Sequence, residues 1–130
     1  MTLQDKTYIV TGASSGIGQA TCIKLASEGA SIILVGRNEE TMKQTLARMA
    51  QQAGQTHHIQ CCDLAQPETI QSAVQQISET VQRPIDGMVY CAGQYGILKL
   101  RDLKPEIVRT QMTVNFYSFL EYIQIGRAHV

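Results

Sequence analysis

The sequence has no surplus of charge, since eleven lysines and arginines meet eleven aspartates and glutamates. Without a basic surplus there is no electrostatic footprint for a nucleic acid or an acidic membrane surface. Long apolar runs are lacking as well. Ile32–Val35 is far short of a membrane span, which needs about 20 residues. Met1-Thr-Leu-Gln-Asp-Lys6 lacks the apolar core of a secretory signal. Cysteine occurs only four times, without framework spacing, and Cys61 and Cys62 are adjacent. The expectation is reduced thiols in a cytoplasmic protein, with no disulfide scaffold. Proline is scarce, and 44% hydrophobic residues in a 130-residue chain suit one small globular domain and no more.

What the chain does have is concentrated at Tyr8–Gly18. A β-branched run ends at Thr11, and glycines follow at Gly12, Gly16 and Gly18 before an amphipathic helical pattern begins. Such a stretch predicts a strand, a tight turn and a helix N-terminus facing an anion. Glycine is needed where the backbone must open and let a pyrophosphate approach without a Cβ between them.

The pattern then alternates. Lys6–Thr11 reads as the first strand and Gly16–Ser27 as a helix with Ile17, Thr21, Cys22 and Leu25 on one face. Ser31–Val35 reads as a strand buried on both sides. Asn38 would cap a second helix whose stripe is Met42, Leu46, Met49 and Ala53, ending at Gly54. Thr56–Cys62 is the third strand; Ile70, Val74, Ile77 and Val81 mark the third helix, and Gly87–Cys91 the fourth strand. Pro105 stands where a first helical residue would, before a last helix expected to bury Val108, Met112, Asn115 and Phe119.

Alternating strands and helices imply right-handed crossovers and a parallel sheet. The fold class is α/β, the first half of a Rossmann-like doubly wound sheet with strand order 3-2-1-4. In that order the carboxyl ends of the strands bring Gly12–Gly18, Gly36-Arg37, Asp63-Leu64 and Cys91–Gly93 to one crevice. His57, His58, Cys61 and Cys62 do not make a metal site, because alternation along a strand sends them to opposite faces. No metal is expected.

About twenty residues past the glycine turn, an NAD site places an acidic residue against the ribose hydroxyls. Here Gly36 and Arg37 stand in its place. A guanidinium binds a 2′-phosphate that a carboxylate would repel. The expected cofactor is therefore NADP(H) in preference to NAD(H), unless Arg37 is a solvated loop residue.

Gly12-x-x-x-Gly16-x-Gly18, with Thr11 before it and Ile17 inside it, resembles the short-chain dehydrogenase/reductase family. Asp63-Leu64, Ala92-Gly93 and the Thr-Val-Asn ending at Asn115 are similar to that family's later motifs. The resemblance implies that Gly12, Ser14, Ser15, Gly16, Ile17 and Gly18 cradle the cofactor. It implies that Asp63 accepts a hydrogen bond from the adenine amino group while the Leu64 amide contacts the ring. Ala92 and Gly93 would approach the ribose. Cys91 is a contact by position only, because Tyr90-Cys91 replaces the family's two asparagines. Asn115 would be catalytic, its carbonyl holding a water in a proton relay. Asp63 could instead be a turn former, and Asn115 a structural hydrogen bonder.

The family's catalytic serine and Tyr-x-x-x-Lys are expected downstream of Asn115, and neither is present. Tyr95-Gly-Ile-Leu-Lys99 matches the spacing but precedes Asn115 and contains a glycine where helical register is needed. It is not read as catalytic. Residues 1–124 are expected to be a truncated NADP(H)-binding domain. Residues 125–130, Ile-Gly-Arg-Ala-His-Val, read as one frame of a sequencing adapter. The implied function is hydride transfer between NADP(H) and a small carbonyl or alcohol substrate by a homo-oligomeric full-length enzyme, the fragment itself being inactive. The alternative is a catalytically silent dinucleotide-binding sensor or scaffold.

Overall fold

A computed structural model of the chain describes residues 2–124. The reading of residues 125–130 as a non-native tail concerns residues outside those described. Four strands, β1 (Thr7–Thr11), β2 (Ser31–Gly36), β3 (His58–Cys61) and β4 (Gly87–Tyr90), form one parallel sheet in the order β3-β2-β1-β4. Ile9 pairs with Ile33 of β2 and Met88 of β4, so β1 is central. Helices α1 (Gly16–Ser27), α2 (Glu39–Ala47) and α3 (Pro67–Thr80) make the crossovers. A 3-10 turn (Leu100–Asp102) precedes α4 (Pro105–Met112), a π turn (Thr113–Tyr117) and α5 (Ser118–Ile123).

The sheet is covered on both faces. Val10, Ile32 and Leu34 pack on one side with Cys22 and Ala26 of α1 and Met42 of α2. Ile9, Ile33 and Val35 pack on the other with Ile70, Ala73 and Ile77 of α3 and with Tyr122. This explains the unbroken apolar run of β2, whose residues Ser31–Val35 are all buried. The buried residues of α1 are all small, Gly18, Cys22 and Ala26. Their size lets the helix lie close over β1. Ile17, expected on that face, is instead 78% exposed.

Two other helical faces differ from expectation. The second helix ends at Ala47, so Met49 is buried from the following turn and Ala53 is exposed. The last helix buries Val114, Ser118 and Tyr122, one residue away from the predicted face, while Val108 and Met112 remain exposed. Burial there follows hydrogen bonding as well as apolarity, since the Ser118 hydroxyl donates to the Leu64 carbonyl at 2.7 Å.

The connection into β3 is fixed by His57, which precedes the strand instead of lying in it. Its Nδ1 accepts from the Ile32 amide at 3.1 Å, and Nε2 lies 3.0 Å from the Ala50 carbonyl. Those partners place the single proton on Nε2 and occupy both nitrogens with backbone. Burial holds the His57 pKa below its ordinary 6.5, with His58 adding to the effect and the Ala50 bond opposing it. On acidification the unfolded chain therefore takes up this proton first. The stability contributed by neutral His57 is full above pH 6.5 and falls as the pH drops toward the lowered folded value. Urea melts at about pH 7.5 and 5.5 should show the loss at the lower pH, and His57→Gln should remove that increment. Asp86 titrates in a separate, more acidic window, its carboxyl held below 3.8 chiefly by the Thr7 amide. Equal stability of the unsubstituted chain at both pH values would contradict this account.

Candidate dinucleotide cleft

The carboxyl ends of the four strands open into a cleft of about 360 Å³. Gly12, Ser14, Ser15, Gly16, Ile17 and Gly18 form its central wall, below the entry to α1. Gly36 and Arg37 follow β2, Asp63 and Leu64 follow β3, and Cys91, Ala92 and Gly93 follow β4. Every residue expected from its sequence position to contact the cofactor lies on this lining. Cys62, Gln94 and Val114 line it too. Each is the immediate neighbour of an expected residue, and adjacency is the only signal that could find them.

The turn has the geometry a diphosphate needs. Gly12 has φ +68°, and a Cβ there would lie 2.8 Å from the Ala92 amide nitrogen. The absent side chain lets the end of β4 close against β1, where the Ala92 amide also donates to the Thr11 hydroxyl at 3.2 Å. Gly16 has φ +54°, and a Cβ there would meet nothing within 4 Å, so a side chain would project into open space at the cleft. Ser15 is the N-cap of α1 in extended conformation, and its hydroxyl makes no capping bond. The first amides of α1 are thus not capped by a side chain, and they carry the positive end of the helix dipole. Anions bind at such termini.

The flanks differ in charge. Arg37 is exposed on the lip after β2 and has no ion-pair partner among the described residues. Asp63 accepts from the Ala65 amide at 3.0 Å through Oδ1, a local turn bond. The turn-forming role is therefore present, and a carboxylate retains lone pairs for a further donor.

Asn115 sits in the π turn, outside the lining. Its Nδ2 donates to the Gln94 carbonyl and its Oδ1 accepts from the Gln94 amide, both at 2.7 Å. The side chain clamps the segment after Gly93, leaving only the backbone carbonyl for a relay of the kind the resemblance implies. Tyr90 provides the adjoining tie, its hydroxyl donating to the Val114 carbonyl and its ring meeting Phe119 edge-on at 5.5 Å. Burial pushes the Tyr90 phenol up to about 12, so it stays protonated and remains a donor at neutral pH. Tyr95 and Lys99 lie before the 3-10 turn in a stretch without helix, and Tyr95 is 88% exposed. They share no helical register.

No helix among the described residues is long and apolar enough to cross a membrane. The short chain dehydrogenase family model matches residues 6–129. An uncharacterized oxidoreductase of Staphylococcus epidermidis is 36% identical over 122 residues, covering 94% of this chain and 51% of its own length. The uncharacterized oxidoreductase YciK of Escherichia coli is 33% identical, over 87% of this chain and 46% of its own. A dehydrogenase/reductase from Sinorhizobium meliloti superposes with a TM-score of 0.87 at 28% identity, over 99% of this chain and 51% of that one. The chain thus spans about half the length of the curated relatives it matches. With its 3-2-1-4 parallel sheet and glycine turn, it belongs to the short-chain dehydrogenase family.

Proposed function

We propose that residues 1–124 are the cofactor-binding part of an oxidoreductase that moves hydride between NADP(H) and a carbonyl or alcohol substrate. The observation that carries the reading is the union of the glycine turn and Arg37 on one cleft lining. In this proposal Gly12, Ser14, Ser15, Gly16, Ile17 and Gly18 hold the pyrophosphate, and Arg37 takes the 2′-phosphate. Asp63 and Leu64 meet the adenine, while Cys91, Ala92 and Gly93 present backbone to the ribose. Asn115 belongs to the catalytic set through its carbonyl. The nicotinamide supplies hydride chemistry when bound, and the chain's residues bind and orient it.

Turnover would require a proton donor at the substrate oxygen, and Tyr95 and Lys99 lie off any helix. The 130-residue chain is therefore proposed to bind cofactor without turning over substrate. The same observation favours, as a second reading, a catalytically silent sensor or scaffold. A cytoplasmic location, supported by the cysteine pattern, and a homo-oligomeric full-length protein complete the proposal. Titration of the chain with NADPH and NADH, followed by nicotinamide fluorescence, tests it. NADPH should bind at least about ten-fold more tightly, as charge-assisted contacts to one phosphate permit. Failure to bind either nucleotide would overturn the reading.

A further inference from the structure

The glycine turn is held from outside by side chains that are not in the cleft. Arg48, the C-cap of α2, donates from Nη1 to Gln19 Oε1 at 2.8 Å. Gln19, one turn into α1, donates from Nε2 to the Thr45 hydroxyl at 3.0 Å and lies 3.4 Å from the Ser14 carbonyl. Thr45, wholly buried on α2, donates to the Ala13 carbonyl at 2.9 Å, with the Thr41 carbonyl farther away at 3.4 Å. The bonds run in one direction, from a guanidinium through an amide and a hydroxyl to a turn carbonyl.

Peptide planarity gives this row of bonds its consequence. The carbonyl of one residue and the amide N–H of the next point opposite ways across the same plane. Holding the Ala13 carbonyl toward Thr45 of α2 and the Ser14 carbonyl toward the Gln19 side chain that bonds Thr45 therefore turns the Ser14 and Ser15 amides away from these two side chains. Ser14 and Ser15 both line the cleft. The backbone amide of Gln19 also bonds the Ser15 carbonyl at 3.2 Å, which fixes the next peptide plane in the helix. Successive amides turned one way make a concave anion site. A row of donors that begins at a cation polarises each bond in it.

We propose that Arg48, Gln19 and Thr45 form a positioning relay, which aims the Ser14 and Ser15 amides at an anionic diphosphate without touching it. The proposal rests on the dinucleotide reading of the cleft and adds to it the groups that tune diphosphate affinity. Thr45 is a positioning residue. Its hydroxyl is required as a donor and an acceptor together, which serine supplies and valine does not.

The test compares two probes on the 130-residue chain, ADP and adenosine, by ligand-observed NMR titration. Thr45→Val should weaken ADP roughly five-fold, the size of one net hydrogen bond, and leave adenosine unchanged; Thr45→Ser should restore ADP binding. Arg48→Met, at an exposed position that does not threaten the fold, should weaken ADP about two-fold at low salt and less at high salt. ADP binding that is unaffected in both variants, or an equal loss for adenosine, would overturn the relay and leave the dinucleotide reading standing. An unsubstituted chain that binds neither probe would overturn both.

Discussion

Gly18→Ala is expected to abolish cofactor binding and to destabilise the domain by about 3 kcal/mol, at the upper end for overpacking. A Cβ at Gly18 would stand 2.0 Å from the Gly12 carbonyl oxygen and 2.6 Å from its carbon. Both are backbone atoms, so relief requires moving the turn and not a side-chain tip. The turn itself is pressed against Ala92, since Gly12 leaves no space beside β4. A displacement at Gly18 is thus passed to the far wall of the cleft. Against a total stability of about 5–15 kcal/mol, the loss is large. Gly16→Ala is the control, with open space around its methyl but φ at +54°, costing about 1–2 kcal/mol for the left-handed backbone. Urea melts and nucleotide titrations on the two variants measure the difference. A Gly18→Ala chain with unaltered melt and affinity would show that the turn relaxes freely.

Arg37→Asp is expected to reverse the nucleotide preference. The guanidinium is exposed on the cleft lip without an ion-pair partner among the described residues. It therefore surrenders no existing ion pair on meeting a phosphate. Charge-assisted hydrogen bonds are worth about 1.5–3 kcal/mol, and an aspartate adds repulsion toward the same phosphate. The ratio of NADPH to NADH affinity should fall roughly a hundred-fold, more steeply at low ionic strength. Arg37→Lys should keep part of the preference, because it preserves charge but not the bidentate fork. An unchanged ratio in Arg37→Asp would remove Arg37 from the nucleotide site.

Much of the cleft is legible in the sequence because its requirements are backbone requirements. Gly12, Gly16 and Gly18 are readable as glycines placed where a strand meets a helix, and Ala92 and Gly93 as small residues after another strand. Alternation gives the parallel sheet, and the dinucleotide-type glycine turn at its first crossover selects the order 3-2-1-4. The last helix departs from its expected face for a physical reason. It carries two candidate faces, and the one that meets the sheet includes Ser118 and Tyr122 while Val108, Met112 and Phe116 remain outside. Periodicity finds apolar stripes but does not say which one meets the sheet. Likewise the sequence around His57 gives no hint that both its nitrogens are spent on backbone groups of Ile32 and Ala50. That pairing spans separate elements, and local pattern holds no record of it. The Arg48–Gln19–Thr45 row is invisible in sequence for the same reason.

The π turn at Thr113–Tyr117 joins two helical segments with looser winding than an α-helix has. An α-helix advances about 100° per residue, whereas the i to i+5 winding of a π turn advances less. The turn is therefore a phase adjuster. Upstream of it, α4 contributes no fully buried residue, and downstream Ser118 and Tyr122 face the sheet. At the adjuster itself, Val114 and Asn115 reach β4 and the segment after it through Tyr90 and Gln94. One short stretch thus sets the rotation of the helix end that meets Leu64 and the position of the peptide that follows Gly93. The two ends of the cleft inherit a common angular reference, and the length of that stretch is as constrained as its composition.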